Sequence, residues 1–313
     1  VTTYLSTDLA AAPFLWVIPL SLYLLTFIIV FGRRTASWTP LFQRAFPIAM
    51  VALVMVLAMG STRPIGLMVP LHLIVFFVIA MACHGQIAKE RPAAEHLTSY
   101  YLWMAVGGVL GGLLNAFIAP QLFNSVVEYP LMLVVAALLV PPVVAGKSRG
   151  WLELAGPVAL GLVMALLILL IDYMGLASTP PGLLVSFGLP TFAAYFFSRR
   201  PVPFALALAL VLGASLFYGE KQNELVAHRS FFGIHRVSYD PQTHRHQLAH
   251  GNTLHGQQSL HPELARIPQA YYHPGGPVGE VVRTYAAGSE SRVGAVGLGA
   301  GALAAYVNPG QEW

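Results

Sequence analysis

The run AAAPFLWVIPLSLYLLTFIIVF, from Ala10 to Phe31, contains 22 residues and no charged side chain. At about 1.5 Å per residue, a helix of this length reaches roughly 33 Å, which is enough to cross a hydrocarbon core of about 30 Å. The run therefore predicts a membrane-spanning helix, and we take it as the clearest case in the chain.

Further apolar stretches follow this first one along the whole N-terminal part of the chain. Of the 313 residues, 56% are hydrophobic and 10% are charged, whereas about a quarter of the residues of a soluble globular domain are charged. The composition excludes an ordinary soluble globule. We predict about eight spans: Ala10 to Phe31, Ala45 to Met59, Ile65 to Cys83, Leu102 to Ile118, Pro130 to Ala145, Leu154 to Ile171, Gly182 to Phe197 and Pro203 to Tyr218.

Basic residues fall in alternate loops between the predicted spans. The opposite loops hold only Arg63, whereas one set holds Arg33, Arg34, Arg44, Lys89, Arg91, Lys147, Arg149, Arg199 and Arg200. By the positive-inside rule the richer set is cytoplasmic. Eight spans then place the C-terminal tail outside the cytoplasm, but one miscounted span would reverse it, so its side stays open. The same scatter explains the net charge of +4 without a nucleic-acid partner.

Small and polar residues within the spans suggest close packing. The fourth span contains Gly107, Gly108, Gly111 and Gly112, an overlapping small-xxx-small pattern that would allow another helix backbone to approach. The polar residues at or near span positions are His72, Asn115 and Asp172. Such groups usually face a partner or a cavity. Interhelical hydrogen bonding would account for His72 and Asn115, and a position at the interface for Asp172, with a transport role as the alternative for any of them.

The composition changes after Tyr218, so we predict a membrane domain at 1–218 and a second domain at 219–313. The second part holds eight of the eleven histidines. Phe231 to Tyr239 alternates with period two, residues 240–243 have turn chemistry, and His244 to His250 can return as a partner strand, which predicts a β-hairpin. Val278, Val281, Val282 and Tyr285 recur at helical spacing.

A glycine turn near the C-terminus has the context of a nucleotide-binding loop. Gly297, Gly299 and Gly301 follow the apolar run Val293 to Val296 and precede Ala302 to Val307. A strand, a glycine turn and a helix in this order can bring backbone N–H groups and a helix N-terminus close to a ligand. We therefore predict that the run begins a parallel sheet and that the three glycines bind a cofactor.

A histidine-rich segment, His250 to Gln258, contains two His-Gly pairs that imply a loop with tight bends. Its imidazoles and amides can orient an amine or a carboxylate. A zinc set of His244 and His246 with His250 or His255 is the competing interpretation, but no cysteine or clustered carboxylate joins them. Cys83 is the only cysteine, so a disulfide framework is excluded. We expect no metal.

These segments together resemble the membrane-bound spermidine-synthase-like proteins of bacteria, in which a transporter-like multi-span region is fused to an aminopropyltransferase-like domain. The residues that carry the resemblance are Thr7 to Trp16, Pro19 to Phe27, Cys83 to Gly85, Gly107 to Gly112, Arg229 to Gly233, His250 to Gln258, Tyr271 to His273 and the glycine turn. The resemblance implies an α-helical multi-pass domain in the bacterial inner membrane. A truncated Rossmann-like S-adenosylmethionine-type domain with an N-terminal β-hairpin would follow it.

The resemblance also implies roles for residues of the tail. The glycine turn would bind S-adenosylmethionine or its decarboxylated form, for aminopropyl transfer to an amine. Leu254-His255-Gly256 resembles the family's Leu-Asp-Gly strand end, with Gln258 near its glutamine, and Tyr272-His273 resembles its Tyr-His-Glu. His255, Gln258, Tyr272 and His273 would thus lie on the substrate side.

Three departures from the family pattern bear on the substrate. His255 stands in place of a carboxylate, Pro274 in place of the glutamate, and Ala300 in place of the aspartate of the glycine loop. Carboxylates hold a cationic polyamine, so these replacements count against a polyamine acceptor.

Two other functions stay open. The first is a transporter or membrane sensor whose tail binds a nucleoside-like ligand without catalysis, and the second is a methyltransferase, which would share the glycine turn. We expect both chain ends to be cut and the family's catalytic aspartate to lie beyond Trp313. On that expectation the chain as given would be inactive by itself.

Overall fold

The computed structural model describes residues 1–10, 12, 14–32, 38–144, 150–219, 223–230, 233–297 and 299–313. The chain forms two compact units, Val1–Glu220 and Lys221–Trp313. Several residues used above lie outside the described ranges: Ala11, Pro13, Arg33, Arg34, Ala145, Lys147, Arg149, Glu220, Phe231, Phe232 and Leu298.

The first unit is built from apolar helices. Among the described residues, six helices are long and apolar enough to cross a membrane, and two more are shorter. The six are α2 (Thr39–Ala58), α3 (Ile65–Lys89), α4 (Ala94–Leu122), α6 (Gly150–Tyr173), α7 (Pro180–Phe197) and α8 (Pro201–Tyr218), and the shorter two are α1 (Val17–Val30) and α5 (Glu128–Leu139). The six longer helices identify a multi-pass membrane protein.

The first unit has an apolar core and an apolar exterior. Leu53, Phe187 and Leu208, from α2, α7 and α8, are fully or almost fully buried. Large apolar side chains also cover the outside, as at Ile74 and Leu162, which are 62% and 68% exposed. Helices that are apolar all round suit a lipid environment, where the outer side chains face acyl chains.

Glycines end two of the spans. After α2, Gly60 N–H donates to Leu57 O and Ser61 N–H donates to Val56 O, and Gly60 has φ +62°. The same pair of bonds follows α6 at Gly175 and Leu176. These are Schellman motifs, in which a left-handed glycine lets the chain turn back and satisfy the last carbonyls of the helix.

The first predicted span, Ala10 to Phe31, is wrong as one continuous helix. A π-helical turn covers Tyr4–Leu9, and α1 begins only at Val17 and has 14 residues. Between them Phe14 has φ +63°, a left-handed conformation that a right-handed helix cannot contain. Leu5 and Leu9 are instead fully buried beside Met68 of α3. Hydropathy describes composition, and it does not detect a left-handed residue that interrupts a helix.

Other span boundaries also move. The stretch predicted at Leu102 to Ile118 lies inside the 29-residue helix α4, and the stretch predicted at Pro130 to Ala145 is the shorter α5. None of the helical residues Leu97–Leu113 of α4 is buried. A Cβ built at Gly107, Gly108, Gly111 or Gly112 would meet no described atom within 4 Å. Association of another helix with this face stays a prediction.

The second unit contains an antiparallel sheet that, in its described residues, has four strands in the order β1-β2-β3-β4. The strands are β1 (Glu224–Ser230), β2 (Gly233–Asp240), β3 (Arg245–His250) and β4 (Thr253–Ser259). The predicted hairpin is confirmed as β2 and β3, where Ser238 pairs with Gln247. Asp240 closes its turn by accepting from Gln242 N–H and from the Thr243 hydroxyl, as aspartate commonly does in turns.

The elements after the sheet agree with the predictions only in part. The helical spacing of the valines corresponds to α9 (Pro277–Tyr285). Val293 to Val296 does not form a strand: the only ladder contact described here is one parallel bridge between Arg292 and Glu312. Ala302–Tyr306 is a short 3-10 turn rather than an α-helix. A Rossmann-like fold therefore stays a prediction, since only this bridge has the parallel direction that the fold requires.

Candidate functional site

A cavity of about 400 Å³ lies inside the second unit, between the sheet and the glycine turn. Strands β3 and β4 form one wall, residues 265–268 form a second, and Ala300, Gly301, Ala302 and Ala305 form a third. Its volume is within the range of small-molecule sites, about 300–1,000 Å³. The cavity brings together segments more than 40 residues apart in the chain.

Two residues predicted to bind a ligand, Gln258 and Gly301, line this cavity. The other predicted residues are not among its lining residues: Gly297, Gly299, His255, Tyr272 and His273. Gly297 and Gly299 belong to the same turn as Gly301, and all three have positive φ, at +93°, +54° and +72°. The turn therefore requires a backbone that residues other than glycine adopt at a cost.

The contact between β4 and the turn depends on Gly256. A Cβ built at Gly256 would collide with the Cβ of Ala300. A glycine inside a strand often marks such a close approach of another backbone segment. The segment predicted as a loop, His250 to Gln258, is thus corrected: His250 ends β3, the bend is confined to Gly251 and Asn252, and β4 begins at Thr253.

The Tyr271-Tyr272-His273 segment forms hydrogen bonds to elements around the cavity without lining it. The Tyr271 hydroxyl donates to His255 O at 2.8 Å, and the Tyr306 hydroxyl donates to Tyr272 O. His273 Nδ1 accepts from Gly275 N–H at 3.0 Å. These bonds connect the segment to β4 and to the turn that follows Gly301. In this geometry Tyr271, Tyr272 and His273 position the walls of the cavity rather than line it.

The polar groups of the cavity are cationic or neutral. Arg266 and His246 line it together with the amides of Gln247, Gln257 and Gln258, and its described lining residues include no carboxylate. Guanidinium and imidazole groups bind anions such as carboxylate or phosphate. Arg266 was missed by the sequence analysis, because no local pattern connects it with a turn more than 30 residues further along the chain.

Histidines form a row across the neighbouring strands. His228 pairs with His235, and His235 pairs with His250. The His235 and His250 rings stack with centroids 4.7 Å apart, and His255 continues the row at 6.0 Å. Burial, followed by the neighbouring imidazoles, lowers the pKa of His235 below its usual 6.5. The predicted substrate-side residue His255 thus contacts other histidines.

The zinc set considered for the histidines has no counterpart in the described ranges. His244 Nδ1 is bonded to the Tyr239 hydroxyl at 2.9 Å, and stacked rings such as His235 and His250 present their faces rather than their nitrogens to one another. Within residues that the structure describes, no group of three or more metal-ligating side chains comes together.

The polar residues singled out in the spans make three different contacts. His72 is fully buried and its Nδ1 lies 2.9 Å from the Tyr129 hydroxyl, between α3 and α5. Asp172 Oδ1 accepts from the Tyr218 hydroxyl at 2.9 Å, between α6 and α8. Asn115 donates to Gly111 O of its own helix. His72 and Asp172 therefore form hydrogen bonds between helices, whereas the bond of Asn115 lies within its own helix.

Comparison of the chain with known protein families, with curated proteins and with solved structures finds no match.

Proposed function

We propose that this protein is a membrane-anchored spermidine-synthase-like transferase of the bacterial inner membrane, whose second unit binds S-adenosylmethionine or its decarboxylated form. The observation that supports the proposal is the cavity in which Gln258 of β4 and Gly301 of the glycine turn meet. Both positions were selected for their resemblance to the donor and substrate loops of that family, and they are more than 40 residues apart in the sequence.

The chemistry of the cavity agrees with a nucleoside ligand. Side-chain amides can donate to and accept from a base or a ribose, and the positive-φ glycine turn leaves room for close backbone approach. The transfer would move an aminopropyl group from the sulfonium of the decarboxylated donor to an amine acceptor. The new C–N bond forms as the C–S bond breaks, the sulfur leaves with the electron pair as a neutral thioether, and the protein would align the two reactants and accept the amine proton.

A non-catalytic ligand-binding tail on a transporter or sensor is the second candidate. The specific observation that favours it is the lining by the Arg266 guanidinium and the His246 imidazole, without a carboxylate among the described residues of the wall. Such a lining is unsuited to hold a polyamine cation, whereas it agrees with binding of a ligand that carries its own carboxylate, such as S-adenosylmethionine.

The test is product mass spectrometry on the whole protein in membranes, supplied with putrescine or spermidine and with either form of the donor. An aminopropyl product that requires the decarboxylated donor supports the proposal. A methylated product supports the methyltransferase alternative, and donor binding without any product supports the sensor or transporter.

A matched pair of variants ties the result to the cavity. Gln258→Leu removes a lining amide at similar volume, and Gln242→Leu makes the same change in the exposed β2–β3 turn. Loss of one hydrogen bond should weaken donor binding by roughly three- to tenfold in the first variant alone. Equal donor affinities in the two variants would show that the donor does not bind in this cavity.

A further inference from the structure

A histidine lies in the interface between α1 and α3 of the first unit. His84 is 7% exposed, and its Nδ1 lies 2.9 Å from the hydroxyl oxygen of Thr26, which is fully buried. The two residues belong to two segments that carry the family resemblance, Pro19 to Phe27 and Cys83 to Gly85. The fold brings these segments together, and the transferase proposal gives neither of them a role.

The hydrogen bonds determine which ring nitrogen of His84 carries a hydrogen. The Thr26 hydroxyl lies 2.6 Å from Tyr23 O, and because a carbonyl oxygen can only accept, the hydroxyl donates its single hydrogen there. Thr26 Oγ1 must therefore accept from His84, so Nδ1 carries the ring hydrogen. In the neutral imidazole the other nitrogen, Nε2, then has a lone pair that can take up a proton.

The surroundings of the ring are aromatic and do not favour a charged imidazolium. Phe27 packs on the ring at a centroid distance of 3.9 Å, and Tyr23 makes a T-shaped contact at 5.1 Å. With Thr26, these are the contacts of His84 among the described residues, and they include no carboxylate. Aromatic faces attract a cation, but this attraction is smaller than the loss of hydration of an unpaired buried charge.

Ionisable groups on the neighbouring elements do not supply the missing counter-charge. The nearest acid along the chain is Glu90, whose carboxylate accepts from Gln86 Nε2, and six residues place it about 240° around the helix from His84. Asp8 and Glu128 belong to elements that contact α3 about three turns or more before His84. The other ionisable groups on the elements packed here are Tyr23 of α1, Arg44 of α2, and Cys83 and Lys89 of α3.

The end of α3 is held by α2, whereas α1 packs chiefly on α3. A Cβ built at Gly85 would meet the Thr39 side chain of α2 at 2.9 Å, and Gln43 Nε2 donates to Gln86 Oε1 at 3.4 Å. A separation at His84 would therefore displace α1 rather than α2. His84 lies five residues before the end of α3, about 7.5 Å along the helix axis, so a small displacement of α1 would let water reach the ring.

We infer that His84 is a proton-binding site that controls the packing of α1 on α3. The lone pair of Nε2 takes up a proton from water at the end of α3 that the basic loops predict to be cytoplasmic, and no covalent bond of the protein breaks. The charged ring is better hydrated when α1 moves away, so proton binding and displacement of α1 favour each other. The inference does not depend on donor binding in the second unit.

Nitrogen NMR on the whole protein in lipid nanodiscs tests the proton site. Because Cys83 is the only cysteine, carbonyl-labelled cysteine combined with carbon- and nitrogen-labelled histidine gives one Cys83–His84 pair, which assigns the His84 ring without a mutation. At about pH 8 we expect a hydrogen on Nδ1 and none on Nε2, and acidification to about pH 4.5 should protonate Nε2. A hydrogen on Nε2 at the higher pH, or an Nε2 that stays unprotonated throughout, would overturn the inference.

Distances between spin labels test the movement of α1. Labels at Ile28→Cys and Lys89→Cys, both exposed positions, in a Cys83→Ala background should move apart by about 2 Å or more over the same acidification. His84→Gln cannot become charged and should abolish this change. His96→Gln makes the same substitution at an exposed histidine of the first unit and should retain it.

Three results would contradict the control of α1 by His84: label distances that do not respond to pH, an equal response in His84→Gln, or a response lost in His96→Gln. The NMR titration needs no substitution, so the inference stays falsifiable if His84→Gln does not fold.

Discussion

The cavity of the second unit and a cavity inside the first unit have the same volume, about 400 Å³, but their walls carry different ionisable groups. Arg266 and His246 line the cavity of the second unit, whereas Glu128 and Val1, with its terminal ammonium, line the cavity of the first unit. Volume limits the size of a ligand, and the sign of the charge limits its chemistry. The two cavities therefore differ in chemistry although they have the same volume.

The two cavities also differ in what holds their walls. In the second unit a glycine turn packs directly on a strand at Gly256. In the first unit side chains of several helices meet around Tyr129, and one wall comes from α4, whose residues Leu97–Leu113 are all unburied. Backbone contact allows almost no change in side-chain volume, whereas side-chain contact tolerates some repacking.

The largest expected effect concerns the close contact between β4 and the glycine turn in the second unit. Gly256→Val should displace the glycine turn, destabilise the second unit by about 3 kcal/mol and abolish donor binding. Hydrogen exchange of the β3 and β4 amides together with donor binding measures both. Gly294→Val is the matched control, since a Cβ at Gly294 meets nothing within 4 Å. Similar losses in the two variants would contradict the proposed contact.

A smaller effect is expected at Tyr129, which lines the cavity of the first unit. Tyr129→Phe removes the hydroxyl that contacts buried His72, whose Nε2 already has no hydrogen-bond partner among the residues that the structure describes. Leaving the imidazole without this bond should cost about 2 kcal/mol of stability, measured as a lower midpoint in thermal unfolding in detergent. Tyr101→Phe, at a residue 45% exposed, should be nearly neutral. A neutral Tyr129→Phe would show that the hydroxyl does not support the cavity.

The charge of Arg266, in the cavity of the second unit, should have a weaker but specific effect on ligand affinity. Arg266 is exposed, so its attraction for a ligand carboxylate is screened and should amount to about 1 kcal/mol, or roughly fivefold in affinity. Arg266→Leu should therefore lower the affinity for S-adenosylmethionine and leave that for its decarboxylated form unchanged. Calorimetric titration of both ligands measures this, with Arg292→Leu as the control outside the cavity. Equal losses for both ligands would mean that Arg266 does not recognise a carboxylate.

The smallest expected effect is a pH dependence confined to the second unit. Burial and three neighbouring histidines lower the pKa of His235 in the folded state, so the unfolded chain binds its proton more readily. Stability should be full above about pH 6.5 and decline as the pH falls below that value towards the lowered pKa. Protection factors of the β2 amides at pH 7.5 and pH 5.5 measure the decline, and His235→Asn should reduce it. If the stability of His235→Asn declined as much as that of the wild-type protein, groups other than His235 would cause the pH dependence.

Local chemistry made the secondary structure predictable in several places. The β2–β3 hairpin follows from period-two alternation and from an aspartate turn, and α9 follows from valines at helical spacing. Both depend on residues close together in the chain. The first predicted span failed for the opposite reason: every side chain from Ala10 to Phe31 suits a membrane helix, but the left-handed backbone at Phe14 interrupts it. The preceding turn instead packs Leu5 and Leu9 beside Met68, which is distant in the chain.

The amino-acid sequence by itself determined that most of this chain lies in a membrane, where the polar unit begins, and which short segments turn. These properties depend on composition and on neighbours a few residues apart, which act before the chain is packed. Only the tertiary structure decided which residues share a cavity: Gln258 with Arg266 and Gly301, and Glu128 with Asn115 and Phe76. A cavity is the space that packing leaves between distant segments, and no local pattern encodes that space.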